Sequence, residues 1–233
     1  MPDLRPRLIV ALDVSSAAAA RKIVAAVGDA GVVYKVGMQL YTAQGPEVVR
    51  ELVQSGRSVF LDLKYHDIAN TVGAAVREAA QLGVNMLTVH ASGGSRMLRA
   101  AVEAAGSTSN VPLVLGVTVL TSLDDGDLNK IGVRGNVVDQ VLRLAALALS
   151  NGCGGVVASA HEAPALREEL GQDFAIVTPG VRPAGSGQGD QVRVVTPREA
   201  IAAGATHIVV GRPITEAADP AAEARAILGE IAA

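Results

Sequence analysis

Three charged side chains stand close together where an apolar segment of the chain ends. The stretch SVFLDLKYHDIANT (58–71) places Lys64 between Asp62 and Asp67. Charged side chains seldom lie beside a buried strand unless they are paired or used. A lysine kept charged by two carboxylates can donate a proton, or stabilise negative charge that develops on a ligand. The alternative is a structural ion pair between Lys64 and Asp62. We favour a function, because burying a lysine between carboxylates is costly.

The pleat of a strand determines how two of these side chains point. Asp62 and Lys64 are two residues apart, so in a strand they leave the same face. Asp67 lies beyond the predicted strand, and two interpretations of it remain open. It caps the helix predicted by IANTVGAAVREAA (68–80), or it takes part in the same site as Lys64.

Short β-branched segments alternate with Ala-rich segments of helical spacing along the whole chain. The predicted strands are 8–14, 32–37, 58–64, 85–91, 112–119, 154–159, 173–180 and 207–212. The predicted helices are 16–29, 46–55, 67–82, 95–106, 136–150, 162–170, 196–203 and 219–231. This alternation predicts an α/β protein, a (β/α)8 TIM barrel that forms a single domain over residues 1–233. The rival is a doubly wound open sheet, but LIVALDVSSAAAA (8–20) lacks the glycine fingerprint usual after its first strand.

Composition narrows the class of protein. The formal net charge is −3 and no long run of one sign occurs, which is atypical of a nucleic-acid-binding or polybasic membrane surface. The single cysteine, Cys153, excludes an internal disulfide and is expected to be inert packing. MPDLRPR (1–7) lacks the apolar core of a signal peptide, and no apolar run reaches transmembrane length. We therefore expect a cytoplasmic protein that binds neither nucleic acid nor membrane.

A barrel builds its chemistry at the carboxyl ends of its strands and in the loops that follow them. The candidate site residues at those positions are Asp13, Lys35, Asp62, Lys64, His90, Thr121, Ser122, Arg182, Gly211 and Arg212. Several have simpler explanations when taken alone. Asp13 could cap the first helix, Lys35 could extend to solvent, and His90 could be structural. Thr121 and Ser122 could simply close a loop. Their convergence on one rim favours a shared site.

Two segments near the end of the barrel predict an anion-binding site. In HIVVGRPIT (207–215), Gly211 allows backbone N–H groups to approach an anion, and Arg212 adds a charged fork. Barrels frequently bind phosphate in this region. Upstream, TPGVRPAGSGQGDQ (178–191) is a long glycine-rich loop with Arg182 and Gln191, of a length typical of lids. These residues predict a small phosphorylated ligand.

The motifs together resemble a known family. FLDLKYHDIANTV (60–72) is similar to the D-x-K-x-x-D-I-x-x-T signature of the orotidine 5'-phosphate decarboxylase family. Further segments follow that family's order: LIVALDV, YKVGMQL, TVHASGG, VTVLTS, TPGVRP, GDQ and VVGRPIT. The resemblance covers nearly the whole chain. It implies conversion of orotidine 5'-monophosphate to UMP and CO2 in pyrimidine biosynthesis, with no cofactor and no metal.

The resemblance also implies roles for the charged residues. Lys64 matches the lysine that protonates C6 of the pyrimidine after CO2 departs. Asp62 matches the aspartate placed against the substrate carboxylate. Asp13 and Lys35 match contacts with the ribose and the charged network.

The remaining roles concern the ends of the ligand and a second subunit. Asp67 and Thr71 match residues that reach the neighbouring subunit's site, which implies a homodimer. Ile68, between them, is expected to contact substrate. Recognition of the pyrimidine falls to Thr121 or Ser122. The resemblance implies that Gln191 bridges the base and the phosphate. It implies that the phosphate is held by Arg182, Gly211 and Arg212.

Two other functions fit part of the pattern. Sugar-phosphate enzymes of the same superfamily share D-x-K-x-x-D, but they use Mg²⁺ held partly by an acidic residue where this chain has Lys35. A non-catalytic phosphate-binding barrel would keep Gly211, Arg212 and the glycine-rich loop. It would have no use for the Asp-Lys-Asp arrangement.

Overall fold

Parallel strands that pair in chain order form the centre of the molecule, and the first strand also pairs with the last. The structure is a computed structural model that describes residues 8–28, 30–183 and 195–232. Its strands are β1 Leu8–Ala11, β2 Val33–Gly37, β3 Ser58–Tyr65, β4 Met86–His90, β5 Leu113–Val117, β6 Gly155–Val157, β7 Ala175–Thr178 and β8 His207–Val210. Pairing of Leu8 with Ile208 closes the sheet. The predicted (β/α)8 TIM barrel is confirmed, and the open-sheet alternative is wrong.

Helices follow the strands and surround the barrel. They are α1 Ala17–Val27, α2 Met38–Gln44, α3 Glu47–Gln54, α4 Ala69–Gln81, α5 Gly94–Ala105, α6 Asp125–Lys130, α7 Val137–Ser150, α8 Ala163–Leu170, α9 Pro197–Ala202, α10 Arg212–Thr215 and α11 Pro220–Ala232. A 3-10 turn, Ala91–Gly93, precedes α5. Within the part of the chain that the structure describes, no helix is both long and apolar enough to cross a membrane.

The two faces of the strands have different partners. Outward-facing residues such as Leu61, Leu87 and Ile176 pack in the large core between strands and helices. Inward-facing residues form a separate apolar layer that fills the barrel: Ile9, Ala11, Val33, Phe60, Met86, Leu115, Ala175, Val177 and Val209. Because side chains alternate along a strand, Lys35 and Asp62 continue the inward rows of Val33 and Phe60. The apolar layer therefore forms the floor beneath the charged residues.

The observed elements differ from the predicted ones mainly near the carboxyl ends of the strands. β1 ends at Ala11 instead of residue 14, so Asp13 lies in the loop after the strand. Three short helices, α2, α6 and α10, lie outside the eight predicted helical segments. α6 begins where the Asp124 carboxylate accepts a hydrogen bond from the N–H of Asp127. Such short helices contain too few turns for periodicity to be read from sequence.

Candidate active site

Lys64 stands at an irregularity between β3 and β4. Leu61 pairs with Leu87, but the next pair is Tyr65 with Val89. Over this interval β3 therefore contains more residues than the facing segment of β4. Lys64 lies within this interval and has φ of 52°, which is rare for a residue other than glycine. Such a left-handed conformation costs about 1–2 kcal/mol. Bulges of this kind re-aim side chains near active sites.

Four charged residues with alternating sign, which we name the charge network, connect three strand ends. The Nζ of Lys64 donates to both carboxylate oxygens of Asp62, each at 2.9 Å. The Nζ of Lys35 lies 3.8 Å from the Oδ2 of Asp62 and donates to the Oδ1 of Asp13 at 2.8 Å. The Asp62 side chain is only 13% exposed, and Lys35 is buried. Each carboxylate therefore lies beside an ammonium group, and the four side chains form a chain of ion pairs.

The simpler explanations of Asp13 and Lys35 do not hold. The N-cap of α1 is Ser16, whose hydroxyl accepts from the N–H of Ala19. Asp13 does not cap this helix and instead accepts the hydrogen bond from Lys35. Lys35 does not extend to solvent, because it is only 8% exposed.

Asp67, Ile68 and Thr71 lie apart from the charge network in the single chain. α4 begins at Ala69 with Ile68 as its N-cap residue. Among the described residues, Asp67 accepts only from the adjacent N–H of Ile68, at 2.6 Å. The interpretation of Asp67 as the helix cap is therefore wrong. All three residues are exposed, Ile68 by 72%, and they line neither of the cavities described next.

Two cavities open at this rim and share Lys35, Asp62, Pro179 and Val209. The first, of about 480 Å³, is the arginine cavity; its lining includes Asp13, Arg182, Gly211 and Arg212. The second, of about 320 Å³, is the lysine cavity; its lining includes Lys64, Thr121, Ser122, Val117 and Val157. Since they share four residues, the two cavities form the arms of one groove. Asp62 and Lys35 lie at the junction.

The ends of the glycine-rich loop lie beside the arginine cavity. Val181 forms a parallel bridge with Val195, and the N–H of Arg182 donates to the carbonyl of Val195 at 3.0 Å. Arg182 is buried, whereas Arg212 is exposed at the start of α10. Gln191, predicted to contact both base and phosphate, lies outside the described residues.

His90 fits a structural interpretation. Its ring lies 5.2 Å from the ring of the exposed His66, centroid to centroid. Burial lowers the pKa of His90, and positive charge on His66 and Lys64 lowers it further. The ring is therefore neutral at pH 7. Cys153 is buried, which raises the pKa of its thiol to about 12 and leaves it unreactive, as the sequence predicted.

Sequence reasoning missed two residues that shape the site. Thr88 on β4 accepts a hydrogen bond from the backbone N–H of Lys64 and donates one to Asp62. A Cβ on Gly37 would lie 3.0 Å from the Nζ of Lys35 and 3.1 Å from the Oδ1 of Asp13, so a side chain there would press on both. The alternation of side chains along a strand could have indicated both residues. Gly37 lies two residues from Lys35 and Thr88 lies two residues from His90, so each faces the same side of its strand as a predicted rim residue.

The barrel and its rim define a class: (β/α)8-barrel enzymes whose site lies at the carboxyl ends of the strands. The chain belongs to the orotidine 5'-phosphate decarboxylase / HUMPS family, whose model matches residues 6–227. The family predicted from the motifs is confirmed.

Individual relatives agree with this assignment. The orotidine 5'-phosphate decarboxylase of Idiomarina loihiensis is 51% identical over 226 residues, 97% of this chain and 98% of that protein. That of Halorhodospira halophila is 54% identical over 228 residues, 98% of this chain and 97% of that protein. A crystal structure of orotidine 5'-phosphate decarboxylase from Lactobacillus acidophilus matches with a TM-score of 0.88 and 43% identity, and covers 98% of this chain and 100% of that one.

Proposed function

We propose that this protein is a carboxy-lyase that converts orotidine 5'-monophosphate to UMP and CO2. The observation that carries the proposal is the charge network at the junction of two cavities, of which one contains arginines and the other is largely apolar. The relatives, named orotidine 5'-phosphate decarboxylases at about half identity over nearly the full chain, support it. The reaction would be a step of de novo pyrimidine biosynthesis.

The groove suits a nucleotide. The phosphate would lie in the arginine cavity against Arg182, Gly211 and Arg212. The pyrimidine would enter the lysine cavity beside Thr121 and Ser122, both of which line it and remain alternatives for recognition of the base. The ribose would then lie at the junction near Asp13 and Lys35. This placement brings C6 of the base next to Lys64, and it brings the substrate carboxylate attached to C6 next to Asp62.

The chemistry explains why a fixed cation is needed. When the bond between C6 and the carboxylate carbon breaks, CO2 leaves as a neutral molecule and the electron pair stays on C6. That pair lies in the ring plane, where the π system offers no electron sink. The ammonium of Lys64 attracts the developing charge and then transfers a proton from Nζ to C6. Solvent later returns a proton to the neutral amine.

The interaction between two fixed charges accounts for only part of the required lowering of the barrier. Two unit charges 4 Å apart interact by about 4 kcal/mol at an effective dielectric of 20. Enzymes lower barriers by about 8–23 kcal/mol, and this reaction belongs near the demanding end. Asp62 has a second effect, because repulsion of the substrate carboxylate is relieved as neutral CO2 forms. We rank this effect below stabilisation of the carbanion.

Binding of the phosphate contributes from a distance. Arg182 and Arg212 line the cavity arm away from Lys64, so they touch no reacting atom in this placement. Binding energy from a remote group can be used to order the site around the transition state. Residues 184–194 of the glycine-rich loop, whose length predicts a lid, lie outside the described residues.

A second subunit would complete the site. Asp67, Ile68 and Thr71 follow β3 directly and are exposed on the rim. We propose that they reach the groove of a neighbouring copy, where Asp67 would give Lys64 a second carboxylate partner. The exposed side chain of Ile68 supports this arrangement, since a large apolar residue gains free energy when a partner covers it.

The two rival functions fit less well. In a magnesium-dependent sugar-phosphate enzyme, a divalent cation beside Asp62 would face the ammonium of Lys35, 3.8 Å from that carboxylate. Like charges this close repel each other. A non-catalytic phosphate-binding barrel would leave the costly Asp62–Lys64 arrangement without a task.

One assay separates the three functions. The purified protein is mixed with orotidine 5'-monophosphate in the presence of a chelator, and the loss of orotate absorbance is followed. The proposal predicts complete conversion with release of one CO2 per nucleotide. Absence of conversion by folded protein, or activity only after Mg²⁺ is restored, would contradict it.

A further inference from the structure

Thr88 links the two principal charged residues through one hydroxyl group. The residue lies on β4, and none of its surface is exposed. Its Oγ1 accepts a hydrogen bond from the backbone N–H of Lys64 at 2.9 Å. The same hydroxyl donates to the Oδ1 of Asp62 at 3.0 Å, the atom that also accepts from the Nζ of Lys64. One side chain thus contacts the backbone of the lysine and the carboxylate of its partner.

The irregularity in β3 explains why a side chain is needed there. In a regular parallel ladder, a backbone N–H donates to a carbonyl of the adjacent strand. Between Leu61 and Tyr65 the register of β3 against β4 shifts. The N–H of Lys64 therefore donates to the hydroxyl of Thr88 instead of to a carbonyl. A backbone donor left without a partner in this part-buried position destabilises the fold. The hydroxyl therefore offsets part of the cost of the left-handed conformation of Lys64.

We infer that Thr88 is a positioning residue for the decarboxylation. It holds the backbone of Lys64 in the conformation that directs Nζ into the groove, and it fixes the rotation of the Asp62 carboxylate beneath that ammonium. The inference rests on the proposed role of Lys64. Thr88 itself does not line either described cavity, so it acts through its two neighbours.

Three substitutions separate positioning from simple packing. Thr88→Val keeps nearly the same shape and removes the hydroxyl, whereas Thr88→Ser keeps the hydroxyl and removes a methyl group. Thr206→Val is the matched control. The Thr206 hydroxyl also bridges two groups of an adjacent strand, the N–H and carbonyl of Ile176, but it lies just before β8 at the opposite end of the barrel.

The measurement is kcat for orotidine 5'-monophosphate together with the Kd for UMP by calorimetry. Thr88→Val should lower kcat by on the order of 10- to 100-fold, as expected when catalytic groups shift by up to about 1 Å. The Kd for UMP should change little, because UMP has no carboxylate and is held largely through its phosphate. Thr88→Ser should recover most of kcat. Thr206→Val should leave kcat within about twofold of wild type.

Several results would overturn the inference. One is a kcat for Thr88→Val equal to that of the Thr206→Val control. Another is an equal loss for Thr88→Val and Thr88→Ser, which would indicate packing alone. If Thr88→Val does not fold, comparison of Thr88→Ser with Thr88→Ala takes its place. The proposed function fails separately, if wild-type protein does not decarboxylate the substrate or if Lys64→Ala retains turnover.

Discussion

Individual residues explain why the site can be recognised in part from sequence. Asp62 and Lys64 were predicted to share one face of β3, and in the structure they form a hydrogen-bonded pair. A charged residue after an apolar run is conspicuous because few other reasons place it there. Thr88 escaped notice for the opposite reason: a threonine in MLTVH (86–90) is an ordinary residue of a β-strand. Its importance comes from the strand beside it, which the local sequence does not specify.

Arg212 carries a prediction at the scale of one residue. Arg212→Ala should lower kcat/KM by roughly 10- to 150-fold, because a hydrogen bond to a charged group contributes about 1.5–3 kcal/mol. The assay is steady-state decarboxylation. The control is Arg225→Ala, on the exposed face of α11 and in the lining of neither cavity. A kcat/KM equal to that of the control would refute the proposal that phosphate binding contributes to catalysis from a distance.

The secondary-structure elements show a second limit of sequence reasoning. All of the predicted strands are present, because β-branched runs between Ala-rich helices are strong signals. The irregularity within β3 could not be predicted, since a register shift is a property of two paired strands. The left-handed conformation of Lys64 follows from that shift. The strand to which we assign the chemistry, β3, therefore has a geometry that the propensities of its own residues do not describe.

The closed barrel brings together site residues that are distant in the sequence. Closure of β1 on β8 brings Gly211 and Arg212 to the same cavity as Asp13 and Lys35, across the full length of the chain. Residues so distant in sequence meet because parallel strands all end on one side of the barrel. The same geometry leaves Asp67 and Thr71 exposed on the rim, where we propose that a second subunit binds.

The proposed dimer can be tested by subunit complementation. Lys64→Ala and Asp67→Ala chains are co-expressed at equal levels, so that a hybrid dimer contains one site with both native residues. Random pairing should yield roughly a quarter of wild-type activity, since half of the dimers are hybrids with one complete site each. The control pairs Asp67→Ala with the Lys64→Ala/Asp67→Ala double variant, which offers no complete site. Equal activity in both mixtures would mean that Asp67 does not act across an interface.

The most direct test of the account is a single-turnover measurement on Lys64→Ala, with the protein in excess over orotidine 5'-monophosphate and at a saturating concentration. We predict that the decarboxylation rate falls by about 10⁴-fold or more, because the variant loses a proton donor and a fixed positive charge together. UMP binding should persist, and Lys130→Ala, on the exposed part of α6, should behave as wild type. Rapid decarboxylation by folded Lys64→Ala protein would contradict the account.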